Sequence, residues 1–335
     1  MGIFDRISLF ANQLGWWFMA LFLRDEDVLN TVSMDSMLEA IESMQQHYGH
    51  GEAYNLPRRK IIGSSGMLAV MGGGLFYEGV LGVKTYTVVN GAYSFQVSLY
   101  DAGTGALLLY TQANRLGQLR TGATTGVAVK HLSNTGASTV GIIGTGYQAS
   151  TQLEAVCKVR NIKRVKAFSR NQDNRRKFAR SMTNSLGVEV IAVGSNREAV
   201  EGSDVVICIA ATMEPVVEGS WLKPGTTVIG AGPTTWRARE VDDGALDRAN
   251  KVFVDSAEQA LSEAGDMAGS VDRGVFQWSQ VLELRHAVAG MVAGRDNADQ
   301  IIYAKLMGTG IADVAAAKLA YETAKTAGVG MEMDW

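Results

Sequence analysis

The segment Ser138–Thr151 constrains the fold of this chain more than any other stretch. Its sequence, STVGIIGTGYQAST, begins with β-branched residues and continues through Gly144-Thr145-Gly146 into Tyr147-Gln148-Ala149. This is the G-x-G-x-x-A fingerprint, in which a strand turns tightly into a helix whose N-terminus faces a pyrophosphate. A second predicted strand, Val165–Phe168, follows about 20 residues later, as the motif requires. The pattern predicts a nicotinamide dinucleotide site, and the alternative is a glycine-rich turn in another kind of α/β protein.

Predicted strands and helices alternate through the middle of the chain. The strands are Thr139–Ile143, Arg164–Phe168, Val188–Val193, Asp204–Ile209, Thr227–Ile229 and Lys251–Asp255. This alternation predicts an α/β fold with a parallel, doubly wound sheet. The loops that begin at Gly144, Ser169, Ala210 and Gly230 follow strand carboxyl ends. We therefore expect them to open on one edge of the sheet, where such sheets bind ligands.

The first part of the chain predicts a different, α+β unit. Asp25–Tyr48 has apolar residues at helical spacing, and Leu116–Leu132 predicts a second helix with Arg120 near its start. Glycine-rich turns between these helices separate predicted antiparallel strands. These strands are Leu56–Ile62, Gly66–Gly74, Gly79–Val89, Ser94–Tyr100 and Ala106–Gln112. Near the other end, Ile301–Ala327 is predicted as a long alanine-rich helical stretch interrupted at Met307–Gly310.

The amino-terminal stretch Ile7–Leu23 is strongly apolar and almost uncharged. It is short for a membrane span, and it lacks the basic region and cleavage site of a secretory signal. We therefore expect an amphipathic helix that packs on the body of the protein or on a partner subunit. A helix lying on a membrane surface is the alternative.

Composition excludes several classes of protein. The chain has 335 residues, enough for two domains, and its net charge of -3 offers no basic surface for nucleic acid. Cys157 and Cys208 lie far apart in apolar segments, which predicts reduced core residues in a cytoplasmic protein. His47 and His50 can share a helix face, but no cluster of Cys, Asp or Glu completes a metal site with them, so we expect no metal.

The residues after the second strand bear on the choice of dinucleotide. An acidic residue at this position would accept a hydrogen bond from the adenosine ribose 2′-hydroxyl and repel a 2′-phosphate. Here Ser169 is followed by Arg170, and guanidinium groups bind phosphate through paired hydrogen bonds. The sequence therefore favours NADP(H). NAD(H) stays open if Arg170 is only a surface residue and Ser169 tolerates either ribose.

Three cations outside the nucleotide unit are candidate site residues. Lys84 lies in a predicted strand among apolar neighbours, where an unpaired ammonium group would be costly. Arg59 follows a proline turn, and Arg120 lies near the start of a predicted helix. Each can be a surface or salt-bridged residue, but together they would form a site for a small anionic substrate.

Taken together, these motifs resemble the ornithine cyclodeaminase/mu-crystallin family. The resemblance runs in the family's order between residues 22 and 330. Its motifs are Pro57-Arg58-Arg59, Gly82-Val83-Lys84, Arg120–Ala123, Gly144–Ala149, Ser203–Val206, Glu214–Val216, Gly219–Gly225, Arg239–Asp242, Phe253–Ser256 and Lys305–Asp313. The combination is far more specific than any one of these motifs.

The resemblance implies a homodimer of two-domain subunits. It implies a Rossmann dinucleotide-binding domain at residues 129–304 and a substrate-binding and dimerisation domain formed by residues 23–128 and 305–335. Residues 1–22 would be an N-terminal apolar extension. Members of the family include ornithine cyclodeaminase, alanine dehydrogenase and ketimine reductases. All of them act on the C–N bond α to a carboxylate by hydride exchange with a bound nicotinamide.

Matching motifs also imply roles for individual residues. Arg59 and Arg120 would hold the substrate carboxylate, and Lys84 would be the catalytic residue beside the reacting C=N bond. The register at Arg58 and Arg59 is open by one residue. The residues predicted to contact the dinucleotide are Thr121, Gly144, Thr145, Gly146, Tyr147, Gln148, Ser169, Arg170, Ala210, Ala211, Thr212 and Gly230.

One departure from the family pattern bears on the reaction. In cyclodeaminases an aspartate follows the glycine at the end of the strand that matches Thr227–Ile229, and here Gly230–Thr235 contains no acid. Cyclodeamination needs proton transfer at nitrogen more than once. We therefore expect an NAD(P)H-dependent reductase or dehydrogenase acting on an α-imino or α-amino acid, with Lys84 supplying positive charge or a proton. The alternatives are an ornithine- or lysine-type cyclodeaminase and a non-catalytic protein that binds NADP and a small ligand.

Overall fold

The computed structural model describes residues 19–334, which form two β-sheets and the helices that cover them. The first sheet contains β1 Met19–Leu23, β2 Ala53–Ile62, β3 Gly66–Leu75, β4 Val80–Val89, β5 Ala92–Asp101, β6 Leu107–Gln112 and, from the end of the chain, β15 Met331–Asp334. The second sheet contains β7 Thr139–Ile143, β8 Arg164–Phe168, β9 Glu189–Ala192, β10 Val205–Cys208, β11 Thr227–Gly230, β12 Lys251–Val254, β13 Val281–Glu283 and β14 Ile302–Lys305.

The described helices fall into two groups around these sheets. Those before the second sheet are α1 Asp25–Thr31, α2 Met34–Gly49 and α3 Asn114–Leu132. Those after its first strand are α4 Ala149–Val159, α5 Gln172–Leu186, α6 Asn196–Val200, α7 Asp243–Arg248, α8 Ala257–Glu263, α9 Gly265–Asp272, α10 Leu284–Val288 and α11 Gly310–Ala327. Short 3₁₀ turns lie at Phe76–Glu78, Gly219–Trp221 and Trp278–Gln280.

The second sheet is parallel throughout, with strand order β13-β12-β14-β11-β10-β7-β8-β9. Its central strands β10, β11 and β14 are buried along their whole length, because helices cover both faces of a doubly wound sheet. The predicted α/β, Rossmann-type fold is confirmed. The strand β14 corrects the helical prediction for the start of Ile301–Ala327, since a short, fully buried apolar run does not distinguish a strand from a helix.

The first sheet has strand order β15-β1-β6-β5-β4-β3-β2 and is antiparallel except where β1 runs beside β6. Helices α2, α3 and α11 contribute to one apolar core with its strands. The last of these, α11, follows β14 directly and so carries the chain from the second sheet back to the first. This return path brings the first turn of α11 against strands β3 and β4.

The structure corrects two predictions for the start of the chain. The apolar stretch Ile7–Leu23 was expected to be a helix, but Met19–Leu23 forms β1, which pairs with β6 and β15. The first sheet therefore includes residues that the predicted boundary at residue 22 leaves out, and the rest of the stretch lies outside the described residues. The predicted helix Asp25–Tyr48 is two helices, and the second begins where the Ser33 hydroxyl accepts a hydrogen bond from Ser36 N.

Between residues 19 and 334, no helix combines the length and the apolar character needed to span a membrane.

Candidate active site

The strands of the second sheet end side by side at one edge. Pairing aligns Ile143 of β7 with Phe168 of β8 and with Cys208 of β10, and it aligns Gly230 of β11 with Lys305 of β14. The predicted loops therefore start next to one another. Strands β7 and β10 are neighbours in the sheet although β8 and β9 separate them in the chain, which makes this position the topological switch point where doubly wound sheets bind ligands.

The glycine loop after β7 has the geometry that a pyrophosphate requires. Gly144 has φ +105°, and a Cβ there would lie 2.5 Å from the carbonyl oxygen of Ile209, so only glycine makes this turn. A Cβ on Gly146 would instead point into open space, at the start of α4. This open cradle at a helix N-terminus fits the phosphates of a dinucleotide, with Gly144–Gln148 as the residues that would hold them.

The loop after β8 lies against the glycine loop. The Thr145 hydroxyl donates to Ser169 Oγ at 2.7 Å. Arg175 is committed to this turn, because its Nη1 donates to the Ser169 carbonyl at 2.9 Å and its guanidinium lies 5.3 Å from the ring centre of Phe168. The side chain of Arg170 is exposed, and no hydrogen bond from it to the described residues is present.

The other residues predicted to contact the dinucleotide occupy the same edge or border it. Tyr147 is 60 % exposed beside the glycine loop, and Gly230 ends β11. Ala210 and Ala211 follow β10, and the hydroxyl of Thr212 donates to the carbonyl of Glu214. Thr121 lies on α3, where its hydroxyl donates to the carbonyl of Gly117.

Helix α3 packs against the start of α4 and so carries Arg120 to this edge. The Gln118 side-chain amide donates to the carbonyl of Tyr147, and the Thr151 hydroxyl donates to the carbonyl of Gln118 at 3.0 Å. On its other side, the Arg120 guanidinium lies against Gly308, which follows β14. Gly308 has φ +78°, and a Cβ there would lie 2.7 Å from Arg120 Nη1, so glycine is needed here.

Lys84, Arg120 and Asp313 form a buried cluster, which we call the cation cluster. Lys84 Nζ donates to Asp313 Oδ1 at 2.7 Å, and Arg120 Nε donates to the same oxygen at 3.0 Å. Asp313 is fully buried in the first turn of α11, where the helix N-terminus also favours a negative charge. The two terminal nitrogens of Arg120 have no hydrogen-bond partner among residues 19–334, so they are available to a ligand.

Burial and charge set the protonation of this cluster. Burial lowers the pKa of Lys84 to about 8, although the negative charge of Asp313 opposes the shift. Burial would raise the pKa of Asp313, but the positive charges of Arg120 and Lys84 outweigh it and hold the pKa below its ordinary value. The cluster thus pairs an ionised carboxylate with an ammonium group that can lose its proton slightly above neutral pH.

The structure places Arg58 and Arg59, whose register the sequence left open, in different environments. The side chain of Arg59 is 75 % exposed and 4.0 Å from Glu258, outside the cation cluster. Arg58 is the buried residue, with its side chain 6 % exposed, and its Nη1 donates to Glu263 Oε2 at 2.6 Å. A β-bulge in β2 between Leu56 and Arg59 causes the shift, because one extra residue reverses which side chains face inward.

A second buried ionic group stands behind the loop that follows β11. Lys305 Nζ lies 2.6 Å from Glu240 Oε2 and 2.9 Å from Asp266 Oδ2, and all three side chains are fully buried. Burial opposes the charge of Lys305, but the two carboxylates outweigh it and raise the pKa of Lys305. Glu240 Oε1 accepts from Gly232 N at 3.0 Å. The loop Gly230–Thr235, which contains no acid, is therefore hydrogen-bonded to the carboxylate of Glu240, and that carboxylate is already paired with Lys305.

Sequence reasoning missed Asp313 and Glu263 as members of the site. Asp313 ends the motif Lys305–Asp313 that supported the family resemblance, but nothing local shows that it reaches Lys84, which is 229 positions away. Glu263 lies in α8 and reaches Arg58 across 205 positions. Tertiary packing brings Asp313 and Glu263 to their partners. The sequence indicates only that Lys84 needs a counter-charge when it is buried.

Comparisons with known proteins agree with this fold. The ornithine cyclodeaminase/mu-crystallin family matches residues 19–328. A Delta(1)-pyrroline-2-carboxylate reductase of Bacillus cereus is 33 % identical over 267 residues, which is 76 % of this chain and 81 % of that protein. The solved Thermococcus litoralis Delta(1)-pyrroline-2-carboxylate reductase, in complex with NADH and L-proline, has TM-score 0.89 and 35 % identity, covering 93 % of this chain and 100 % of that one. An archaeal alanine dehydrogenase dimer with bound NAD has TM-score 0.89 and 30 % identity, covering 95 % and 99 %.

Proposed function

The chain belongs to the ornithine cyclodeaminase/mu-crystallin family, and we propose that it uses NADPH to reduce the C=N bond of a small α-imino acid, giving the α-amino acid. It is an oxidoreductase that acts on the C–N bond of imino or amino acids, as its named relatives are. The observation that carries the proposal is the cation cluster. It presents a guanidinium with free donors and a titratable ammonium group beside the dinucleotide edge.

Arg120 is proposed to bind the substrate carboxylate. Its Nε is fixed by Asp313, so the planar guanidinium cannot rotate freely, and both terminal nitrogens have no partner within residues 19–334. A carboxylate suits this edge because it accepts paired, charge-assisted hydrogen bonds from arginine. Gly308 leaves the room in which the guanidinium lies.

Lys84 is proposed to protonate the substrate nitrogen. A pKa of about 8 keeps Lys84 Nζ largely protonated at neutral pH and still able to give up its proton, which suits a general acid. As the substrate nitrogen gains the proton, the neutral amine of Lys84 stays hydrogen-bonded to Asp313 and is reprotonated from water. The paired negative charge of Asp313 makes that reprotonation favourable.

The dinucleotide, when bound, supplies the hydride that the substrate carbon receives. Gly144–Gln148 would hold its phosphates, and Ser169 with Arg170 would meet the adenosine ribose. We propose NADPH over NADH because the position after β8 carries no acid and the exposed Arg170 has no hydrogen-bond partner in the described part of the chain. Replacing Arg170 with alanine should raise KM for NADPH much more than KM for NADH. Equal effects on the two would refute the phosphate assignment.

The proposal includes a homodimer. One face of the first sheet carries exposed apolar side chains in a single cross-strand row, among them Ile62 at 77 % and Tyr93 at 59 %. Patches of this kind mark interaction surfaces, and an archaeal relative is a dimer. A cytoplasmic location belongs to the same proposal, because Cys157 and Cys208 are unpaired thiols.

Steady-state kinetics test the reaction. The wild-type enzyme would be given Δ1-pyrroline-2-carboxylate and other cyclic and acyclic imines with NADPH or NADH, and loss of reduced nicotinamide would be followed by absorbance. Replacing Lys84 with alanine should lower turnover about 100-fold or more, the usual contribution of general acid catalysis. Lys163→Ala, a change at an exposed lysine, is the matched control. Near wild-type turnover in Lys84→Ala would remove Lys84 from the mechanism.

A further inference from the structure

We infer that Glu240 is a positioning residue for the dinucleotide, because its carboxylate fixes the loop over which the nicotinamide half must lie. Glu240, Lys305 and Asp266 form the second buried ionic group, and we call these three residues the buried triad. The inference rests on the proposed function, since it concerns the same dinucleotide. The side chain of Glu240 is fully buried behind the loop that follows β11.

The order of the strands determines which half of a dinucleotide would lie over this loop. Around the site the order is β14-β11-β10-β7-β8. Gly144–Gln148 after β7 would hold the pyrophosphate, and Ser169 after β8 would meet the adenosine ribose. The nicotinamide half must therefore extend the other way, over the loops after β10 and β11. That direction leads to Arg120, which lies against Gly308 after β14.

Glu240 holds the loop at the point where strand pairing ends. Ala231 N still donates to the carbonyl of Cys208 on β10, at 2.8 Å. Gly232 N is the next amide, and it donates to Glu240 Oε1 at 3.0 Å. A Cβ on Gly232 would lie 2.5 Å from Glu240 Oε1 and 2.6 Å from the carbonyl oxygen of Ala210 in the loop after β10. The carboxylate therefore keeps the two loops packed together too closely for a side chain at Gly232.

The carboxylate of Glu240 is itself held rigidly. Its Oε2 lies 2.6 Å from Lys305 Nζ, at the end of β14. Asp266 on α9 accepts from the backbone N–H of Glu240 and, at 3.0 Å, from that of Val241. The buried triad thus presents one fixed oxygen, Glu240 Oε1, to the loop, which is the kind of support that a precise binding site needs.

Stability alone gives a weak reason for three buried charges at this position. Apolar residues of similar size often replace a buried ionic group without loss of stability, because desolvation offsets the attraction between the charges. A carboxylate adds a directional acceptor for Gly232 N–H, which an apolar side chain cannot supply. Burial raises the pKa of Glu240 to about 7, although the positive charge of Lys305 opposes the shift, so binding should be measured above that pH.

Two pairs of ligands test whether Glu240 acts on the nicotinamide half. NADPH is compared with adenosine 2′,5′-bisphosphate, and NADH is compared with ADP, because the second member of each pair lacks the nicotinamide. The Kd of each ligand is measured by fluorescence titration without an imino acid.

Glu240→Gln keeps the size of the side chain, but its single oxygen cannot accept from both Lys305 and Gly232. Binding must then restore a loop position that no hydrogen bond holds. We expect the Kd of the dinucleotide to rise about tenfold or more, the size of one lost charge-assisted hydrogen bond, and the Kd of the shorter ligand to stay unchanged.

Gly232→Ala tests the same loop without removing a buried charge, so it also serves if Glu240→Gln folds poorly. Its Cβ has no room beside Glu240 Oε1, and it should reproduce the selective loss of dinucleotide affinity. Asp204→Asn is the matched control. The Asp204 carboxylate also accepts from backbone amides and pairs with Lys223, but it lies just before β10, at the opposite edge of the sheet. All four Kd values should stay at the wild-type level in this control.

An equal loss of affinity for both members of a pair would overturn the inference, because Glu240 would then support the whole sheet edge. Unchanged affinities in a folded Glu240→Gln protein would overturn it as well. If the wild type shows the expected binding pattern but reduces no imine, the proposed reaction fails and the inference stands. Amide exchange of the ligand-free protein gives an independent measurement. The Gly232 amide should exchange at least about tenfold faster in Glu240→Gln, and an unchanged rate would refute the role of this contact.

Discussion

Replacing Asp313 with asparagine tests the electrostatics of the cation cluster most directly. The side chain keeps its size but loses its charge, and it is fully buried between Lys84 and Arg120. The negative charge favours the ammonium form of Lys84, so its loss must lower the pKa of that group. Protonated Lys84 is the form that the proposed reduction uses. As the pH rises, activity should therefore be lost at a lower pH in the variant than in the wild type.

The size of this shift follows from the 2.7 Å separation of Lys84 Nζ and Asp313 Oδ1. With an effective dielectric constant of about 20, two unit charges at that distance interact by about 6 kcal/mol. One pKa unit corresponds to about 1.4 kcal/mol, so loss of the full charge would lower the pKa of Lys84 by about four units. The amide dipole and local relaxation recover part of this, and we expect a decrease of at least about one unit from the value of about 8.

The assay is the pH dependence of kcat/KM for imine reduction, which reports the free enzyme. In the wild type, activity should decline above pH 8, where Lys84 loses its proton. In Asp313→Asn the decline should begin below neutral pH. Removing one partner of a buried pair also destabilises the fold by about 3–5 kcal/mol, so the measurements belong well below the melting temperature of the variant.

Asp272→Asn is the matched control, since it removes one carboxylate from an exposed position on α9. Its pH profile should superimpose on that of the wild type. An active Asp313→Asn enzyme with an unshifted profile would refute the reasoning. It would show either that the high-pH decline does not come from Lys84 or that Asp313 does not set its protonation.

Two further substitutions test the dinucleotide loop and the second ionic group. Gly144→Ala should abolish dinucleotide binding, measured by fluorescence titration, because φ +105° and a carbonyl 2.5 Å from the new Cβ exclude a side chain; retained affinity would refute the assigned turn. Lys305→Met should lower the free energy of unfolding by about 3–5 kcal/mol in urea titrations, because Glu240 and Asp266 are left buried without their cation. Lys223→Met, at a half-exposed pair, should cost about 1 kcal/mol or less, and equal losses in the two variants would contradict the role of burial.

The parts of the fold that sequence could predict are those set by local periodicity. The second sheet alternates apolar strands with helices, and its fingerprint at Gly144–Ala149 fixes a strand, a turn and a helix together. The prediction was wrong at Ile302–Lys305, where a strand is so thoroughly buried that no alternation remains. The prediction was also wrong at Met19–Leu23. This apolar segment forms a strand and not a helix because it pairs with β6 and β15, which lie far along the chain.

A residue of the site could be predicted only where its own side chain, placed in an apolar segment, requires a partner of opposite charge. Lys84 is such a residue, because a lysine within an apolar strand requires a counter-charge, but the sequence does not say which acid supplies it. The position of Asp313 depends on α11 returning from the second sheet to the first. That path is a property of the whole topology, so no local pattern contains it.

The bulge in β2 decides which of two neighbouring arginines is buried. Ala53 and Asn55 face inward on β2, and strict alternation from them would place Arg59 inward and Arg58 outward. The bulge after Leu56 inserts one residue, so the side chain of Arg58 is buried and that of Arg59 is exposed. Arg58 then donates to Glu263 and to the carbonyls of Met307 and Gly308. Arg120 keeps both terminal nitrogens without a partner among residues 19–334, and we propose that the carboxylate of an imino acid binds there.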